Sequence, residues 1–71
     1  MSHPAPSDPH EFEVARAVLT DIEYLTWAMQ ERGVSRDDIA SYRRVSKGTV
    51  NACLKEARRK IEAAMRDEEA A

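Results

Sequence analysis

A single cysteine rules out any disulfide within the chain, and no cluster of Cys and His stands at the spacing a zinc site needs. His3 and His10 have no partners at ligand spacing, so neither a metal nor another cofactor is expected. Two glycines and three prolines are too few for a loop-rich fold, and 42% apolar residues in 71 suit one small helical domain with a marginal core that a partner may complete. No apolar run approaches the roughly 20 residues of a membrane span, and no apolar stretch flanked by positive charge suggests a secretion signal. A soluble protein of the reducing cytoplasm is expected. Missing too are a glycine-rich phosphate loop and any Ser/His/Asp or Cys/His arrangement, so the chain is not expected to be an enzyme.

Charge, by contrast, is plentiful and unevenly placed. The net charge of −2 conceals three segments: residues 1–31 hold one arginine against six acids, residues 32–66 hold ten Lys/Arg against four acids, and residues 67–71 add three acids. Screening makes charges more than about 8–10 Å apart matter little, so the basic middle can attract phosphate despite the acidic whole.

Residues 1–8 lack an apolar period and read as a disordered arm, with Asp8-Pro9 at the start of a helix, Asp as cap and Pro at the first helical position. Phe12, Ala15, Val18, Leu19 and Ile22 recur at three and four, and Leu25, Ala28 and Met29 continue that stripe to about Arg32. Thr20 and Glu23 form a capping box inside it, which favours two helices with a corner near Thr20 over one long one. Gly33 suits the left-handed position that closes a helix. Two places are open to Trp27: the core, or, because it is off the Ile22-Leu25-Met29 line, an exposed interface anchor.

Ser35 caps the next helix, with Asp37 and Asp38 in its first turn, and that helix runs to about Arg43. Ile39 and Ala40 face inward, Tyr42 is a rim contact, and Val45 plugs the corner. Ser46 caps the last helix. There Val50, Leu54, Ala57, Ile61 and Met65 hold one stripe, whose far end either packs on the first helices or meets a second subunit. Cys53 borders this stripe as a small core residue. Asp67-Glu68-Glu69 oppose the helix's negative end, so residues 67–71 are expected to fray. The result is an all-α bundle of three or four helices, with a domain over 9–66 that contains a helix-turn-helix at about 35–56 and a long C-terminal helix.

Lys47, Gly48, Asn51, Ala52 and Lys55 fall opposite the buried stripe, small or polar and partly basic, as reading a major groove requires. Asn51 suits adenine, and Lys47 or Lys55 suits guanine. Arg43, Arg44, Arg58 and Arg59 extend the basic group, and Thr49 is either a phosphate contact or a surface threonine.

With L-T-D-I-E at 19–23, G-V-S at 33–35, D-I-A at 38–40, V-S-K-G-T-V at 45–50 and L-K-E-A-R-R-K-I at 54–61, the chain from Leu19 to Met65 resembles region four of bacterial sigma factors. It is also similar to the DNA-binding domains of response regulators. The resemblance implies that the helix from Ser46 enters the major groove. Lys47, Gly48, Asn51, Ala52 and Lys55 would then face bases, with Ser46, Thr49 and Arg58 near phosphates. Two positions depart from the family. Arg43 stands where an apolar residue is usual, and Arg44 where glycine commonly supports the turn. Arginine at positive φ costs ~1 kcal/mol, so either the turn differs or the strain is tolerated. Nothing in the chain corresponds to the rest of a sigma factor.

The function expected is sequence-specific binding of double-stranded DNA by a small transcriptional regulator of bacterial or phage type. A homodimer on a palindrome, joined through the long last helix or the first, would supply the interface that one short helix lacks. The alternative is an interaction module that docks on RNA polymerase or another regulator through the acidic first helices and Trp27.

Overall fold

The computed structural model describes residues 8–70 as four helices: α1 Pro9–Val18, α2 Asp21–Glu31, α3 Arg36–Arg43 and α4 Lys47–Ala70. Met1–Ser7 of the expected arm, with His3, lie outside the described residues, as does Ala71 of the expected tail. Asp8 belongs to the helix rather than to an arm, since its side chain accepts from the His10 amide at 3.0 Å. Among the described residues no helix is long and apolar enough to cross a membrane.

Local signals set the breaks between the helices. Leu19 is extended, and Thr20 starts α2 with both halves of the capping box in place. The Glu23 amide donates to the Thr20 hydroxyl at 3.3 Å, and the Thr20 amide donates to the Glu23 carboxylate at 3.0 Å. At the other end of α2, Gly33 at φ 89° lets its amide reach the Gln30 carbonyl while the Val34 amide reaches that of Met29. That is the two-bond closure of a helix by a left-handed residue. The end of α3 repeats it with arginine in place of glycine. Arg44 sits at φ 59°, ψ 45°, its amide donating to the Ser41 carbonyl and that of Val45 to Ala40. The turn therefore keeps the geometry that glycine would support, and tolerates the strain.

α4 is the spine. Its stripe of Val50, Leu54, Ala57 and Ile61 is buried, and α3, α2 and α1 all pack along it. The far end of the stripe meets α1, the first of the two outcomes open to it. Trp27, at 2% exposure, fills the centre against Phe12, with ring centroids 4.8 Å apart, and Tyr24 stands 6.1 Å away. Its core placement removes the exposed anchor on which an interaction module would have relied. Ile22 and Leu25, expected in the core stripe, are instead 46% and 36% exposed, and Val14 is buried in α1. Trp27 is the largest side chain on α2, and turning it inward turns the Ile22-Leu25 side of the helix out. Tyr42 is 68% exposed rather than a rim contact.

The tail expected to fray over 67–71 is helical through Ala70, where α4 ends. Glu68 lies 2.7 Å from the His10 ring, which joins this end to the start of α1 and favours the imidazolium. Near the middle, Lys60 donates to both Glu23 oxygens at 2.8 and 3.0 Å. The Lys60 ammonium, seconded by the Thr20 amide, holds the Glu23 carboxyl below the ordinary carboxylate range.

Two measurements follow from these contacts. Relieving the left-handed arginine by Arg44→Gly raises unfolding stability in urea by about 1 kcal/mol, and Gly33→Ala lowers it by a similar ~1 kcal/mol. A Cβ at position 33 meets nothing within 4 Å, so the second loss reports φ alone. A lowered carboxyl contributes stability that is present above its unfolded value and is lost as pH falls through the folded one. The stability advantage over Glu23→Gln is therefore full at neutral pH and shrinks on acidification from about pH 4.3 downward.

Candidate nucleic-acid interface

The outward side of α4 is set by the residues that face inward. With Val50, Leu54 and Ala57 against the other helices, the 3.6-residue period turns Gly48, Ala52, Lys55 and Arg59 to solvent, with Asn51 and Arg58 on the flank. All six are exposed. Ser46 fixes where the helix begins, its hydroxyl accepting from the Thr49 amide at 3.1 Å and lying 2.9 Å from the Thr49 hydroxyl. Thr49 is thus engaged in the cap, although still exposed. A side chain at Gly48 would find open space, with the Ser46 hydroxyl 3.8 Å away.

A shallow groove of about 560 Å³ runs along this side, lined by Asn51, Ala52, Lys55, Arg58, Arg59 and also Arg36, Glu56 and Glu62. Arg36, the first residue of α3, was not foreseen; its proximity is a product of how α3 crosses α4, and only its place beside the Ser35 cap hinted at an exposed end. Glu62 lies two turns beyond Lys55 on the same side and gives the groove an acidic limit.

Family models, curated proteins and solved structures all fail to match this chain. The face must be judged on its own chemistry.

The cations differ in how they are held. Lys47 pairs with Asp37 at 3.4 Å and Arg59 with Glu56 at 2.6 Å, both at the exposed surface where such pairs contribute little and exchange readily. Glu56 lies below its ordinary pKa because of the Arg59 guanidinium, and Arg59 is correspondingly raised. Arg58 donates to the side-chain oxygen of Gln30 at 3.0 Å, which draws it along the α2 edge of the face. Arg36, Arg44 and Lys55 have no side-chain partner among the described residues and are free to meet an anion.

Arg43 leaves the basic face. It turns under α3, donates to the Thr26 hydroxyl at 3.0 Å, and its Nε is buried with no hydrogen-bond partner among the described residues. Thr26 is fully buried and donates in turn to the Ile22 carbonyl at 2.8 Å. Arg43 is therefore a brace between α3 and α2, while its neighbour Arg44, exposed at the turn, points out. The apolar stem and the bond to Thr26 both count here. Arg43→Ala is expected to lower stability by about 1–2 kcal/mol in urea unfolding, whereas Lys55→Ala on the exposed face changes it by less than about 0.5 kcal/mol.

Proposed function

We propose that the chain is a sequence-specific double-stranded DNA-binding module, a small transcriptional regulator that resembles region four of sigma factors, with α4 entering the major groove from Lys47. The observation that carries this reading is an exposed helix face on which two small residues, Gly48 and Ala52, lie beside Asn51 and Lys55. Small residues let a helix approach base edges closely; an amide reads adenine and an ammonium reads guanine. Around that centre, Arg44, Lys47, Arg58 and Arg36 stand where phosphates on either side of a groove would lie, and Ser46 and Thr49 mark the helix start. Glu56 and Glu62 oppose indiscriminate attraction, which favours a bound sequence over bulk duplex. This reading assigns the chain no catalytic role and takes it to act as a homodimer.

Selection of bound duplexes from a random pool at near-physiological salt tests the proposal. It predicts an enriched motif, and recovery of unselected sequence only would sink it. Within the motif, Asn51→Ala narrows the margin over unselected duplex by about 1–3 kcal/mol. Arg58→Ala weakens binding to all duplexes alike and makes the salt dependence shallower by about 1 unit of slope. Equal losses of selectivity from both substitutions would overturn the assignment of faces.

A further inference from the structure

We propose that the outer face of α2 is the seat of a second copy of this chain, with the two α2 helices packed antiparallel. On its inner side α2 meets α4 through Glu23, Trp27 and Gln30, at spacings of four and three: Glu23 to Lys60, Gln30 to Arg58, and Trp27 between them in the core. The opposite side carries Ile22, Leu25 and Met29, at spacings of three and four, followed three residues on by Arg32. Ile22 is 46% and Leu25 36% exposed, with Met29 half-buried behind them. Spacings of 3, 4 and 3 form the seam by which one helix packs along another. Met29 also packs partly on the core, while among the described residues no element covers Ile22 and Leu25.

The charges at the two ends of the seam identify what does. Asp21 stands at the start and Arg32 at the end, both exposed and neither with a side-chain partner among the described residues. They are eleven residues apart, three helical turns, and so lie on the same side. Laid antiparallel on itself, the seam puts Asp21 of each copy beside Arg32 of the other, twice over, and sets Leu25 against Met29 across the two-fold axis. A face that is complementary to itself under a two-fold rotation is an isologous interface. Parallel pairing would instead bring Asp21 to Asp21 and Arg32 to Arg32. The contact is short, below about 1,200 Å² in total, so the pair forms weakly, with dissociation in roughly the tens of micromolar or above.

The arrangement has a consequence for DNA that rests on the DNA-binding reading. α2 turns its outer face away from α4, and α4 turns its basic face away from α2. The two faces thus lie on opposite sides of the molecule, and a pair joined through α2 presents its two basic faces in opposite directions. Such a pair holds two separate duplex segments instead of two adjacent half-sites on one, and the selected motif is a single asymmetric site.

Sedimentation equilibrium of the full chain over a concentration series tests the pairing without DNA. Asp21→Arg and Arg32→Asp are each expected to weaken self-association about tenfold, since both pairs of charges become repulsive. The double substitution Asp21→Arg with Arg32→Asp returns it to within about threefold of the parent, because the swapped face is again complementary to itself. Leu25→Glu abolishes it while leaving the helical circular dichroism intact. A strictly monomeric parent at high concentration, or a double substitution no better than the single ones, overturns the proposal. The DNA consequence is read separately, by capture of a second labelled mixed-sequence duplex on a bead-bound one. The parent captures it, whereas Leu25→Glu binds the first duplex and captures none. Failure to bind the first duplex at all refutes the DNA reading and leaves the sedimentation result to decide the pairing.

Discussion

One apolar stripe on α4, Val50-Leu54-Ala57-Ile61, carries the core contacts of three other helices at once. A chain of this size has no second layer to fall back on, so the period of that stripe fixes which residues of α4 remain for other work. Every exposed group on the candidate face is exposed because these four are not. The same dependence explains why the caps matter. Ser46 sets the residue at which the α4 period starts, and a shift by one position would turn each side chain through about 100°.

The polar contacts reinforce this arrangement at points where two tasks meet in one group. Glu23 closes the capping box of α2 and holds Lys60 of α4. Arg43 bridges α3 to the buried Thr26 of α2 through a hydrogen bond to its hydroxyl. His10 and Glu68 join the first turn of α1 to the last of α4. The acidic N-terminal half and the basic middle seen along the sequence are therefore partly matched in space, through Lys60 above all. Of the cations on the outer side of α4, Lys47 and Arg59 are paired with Asp37 and Glu56, and Glu62 shares the groove with Lys55 and Arg58.

Much of this was legible in the sequence wherever the signal was local. Thr20 with Glu23, Gly33, Ser35 and Ser46 each mark a helix end by a bond within a few residues, and the structure places those ends there. The stripe on α4 was legible too, because it has one apolar side. α2 has two. Trp27 with Ala28 and Tyr24, and Ile22 with Leu25 and Met29, both recur at helical spacing, and periodicity carries no information on which of two apolar sides turns inward. Size decided it, through the aromatic cluster with Phe12. Arg43 was misplaced for a related reason. Charge argues for solvent, whereas its long stem and a buried hydroxyl seventeen residues earlier argue for the interior, and only the tertiary structure brings those together. The helical end of α4 likewise depended on a partner fifty-eight residues away.

α4 runs unbroken over 24 residues, about 36 Å, with its N-terminal half bearing the candidate face and its C-terminal half clasped by α1. The two halves form one rod with no proline and no glycine beyond Gly48. A surface mounted on such a rod is ordered before anything touches it. Whatever α4 meets therefore finds the backbone already fixed, and the conformational entropy that a folding-on-contact helix would lose at that moment has been lost in reaching the native state. Discrimination then falls to side-chain fit alone. A ligand of the wrong shape cannot be accommodated by remoulding the helix without also disturbing the core that the same residues build.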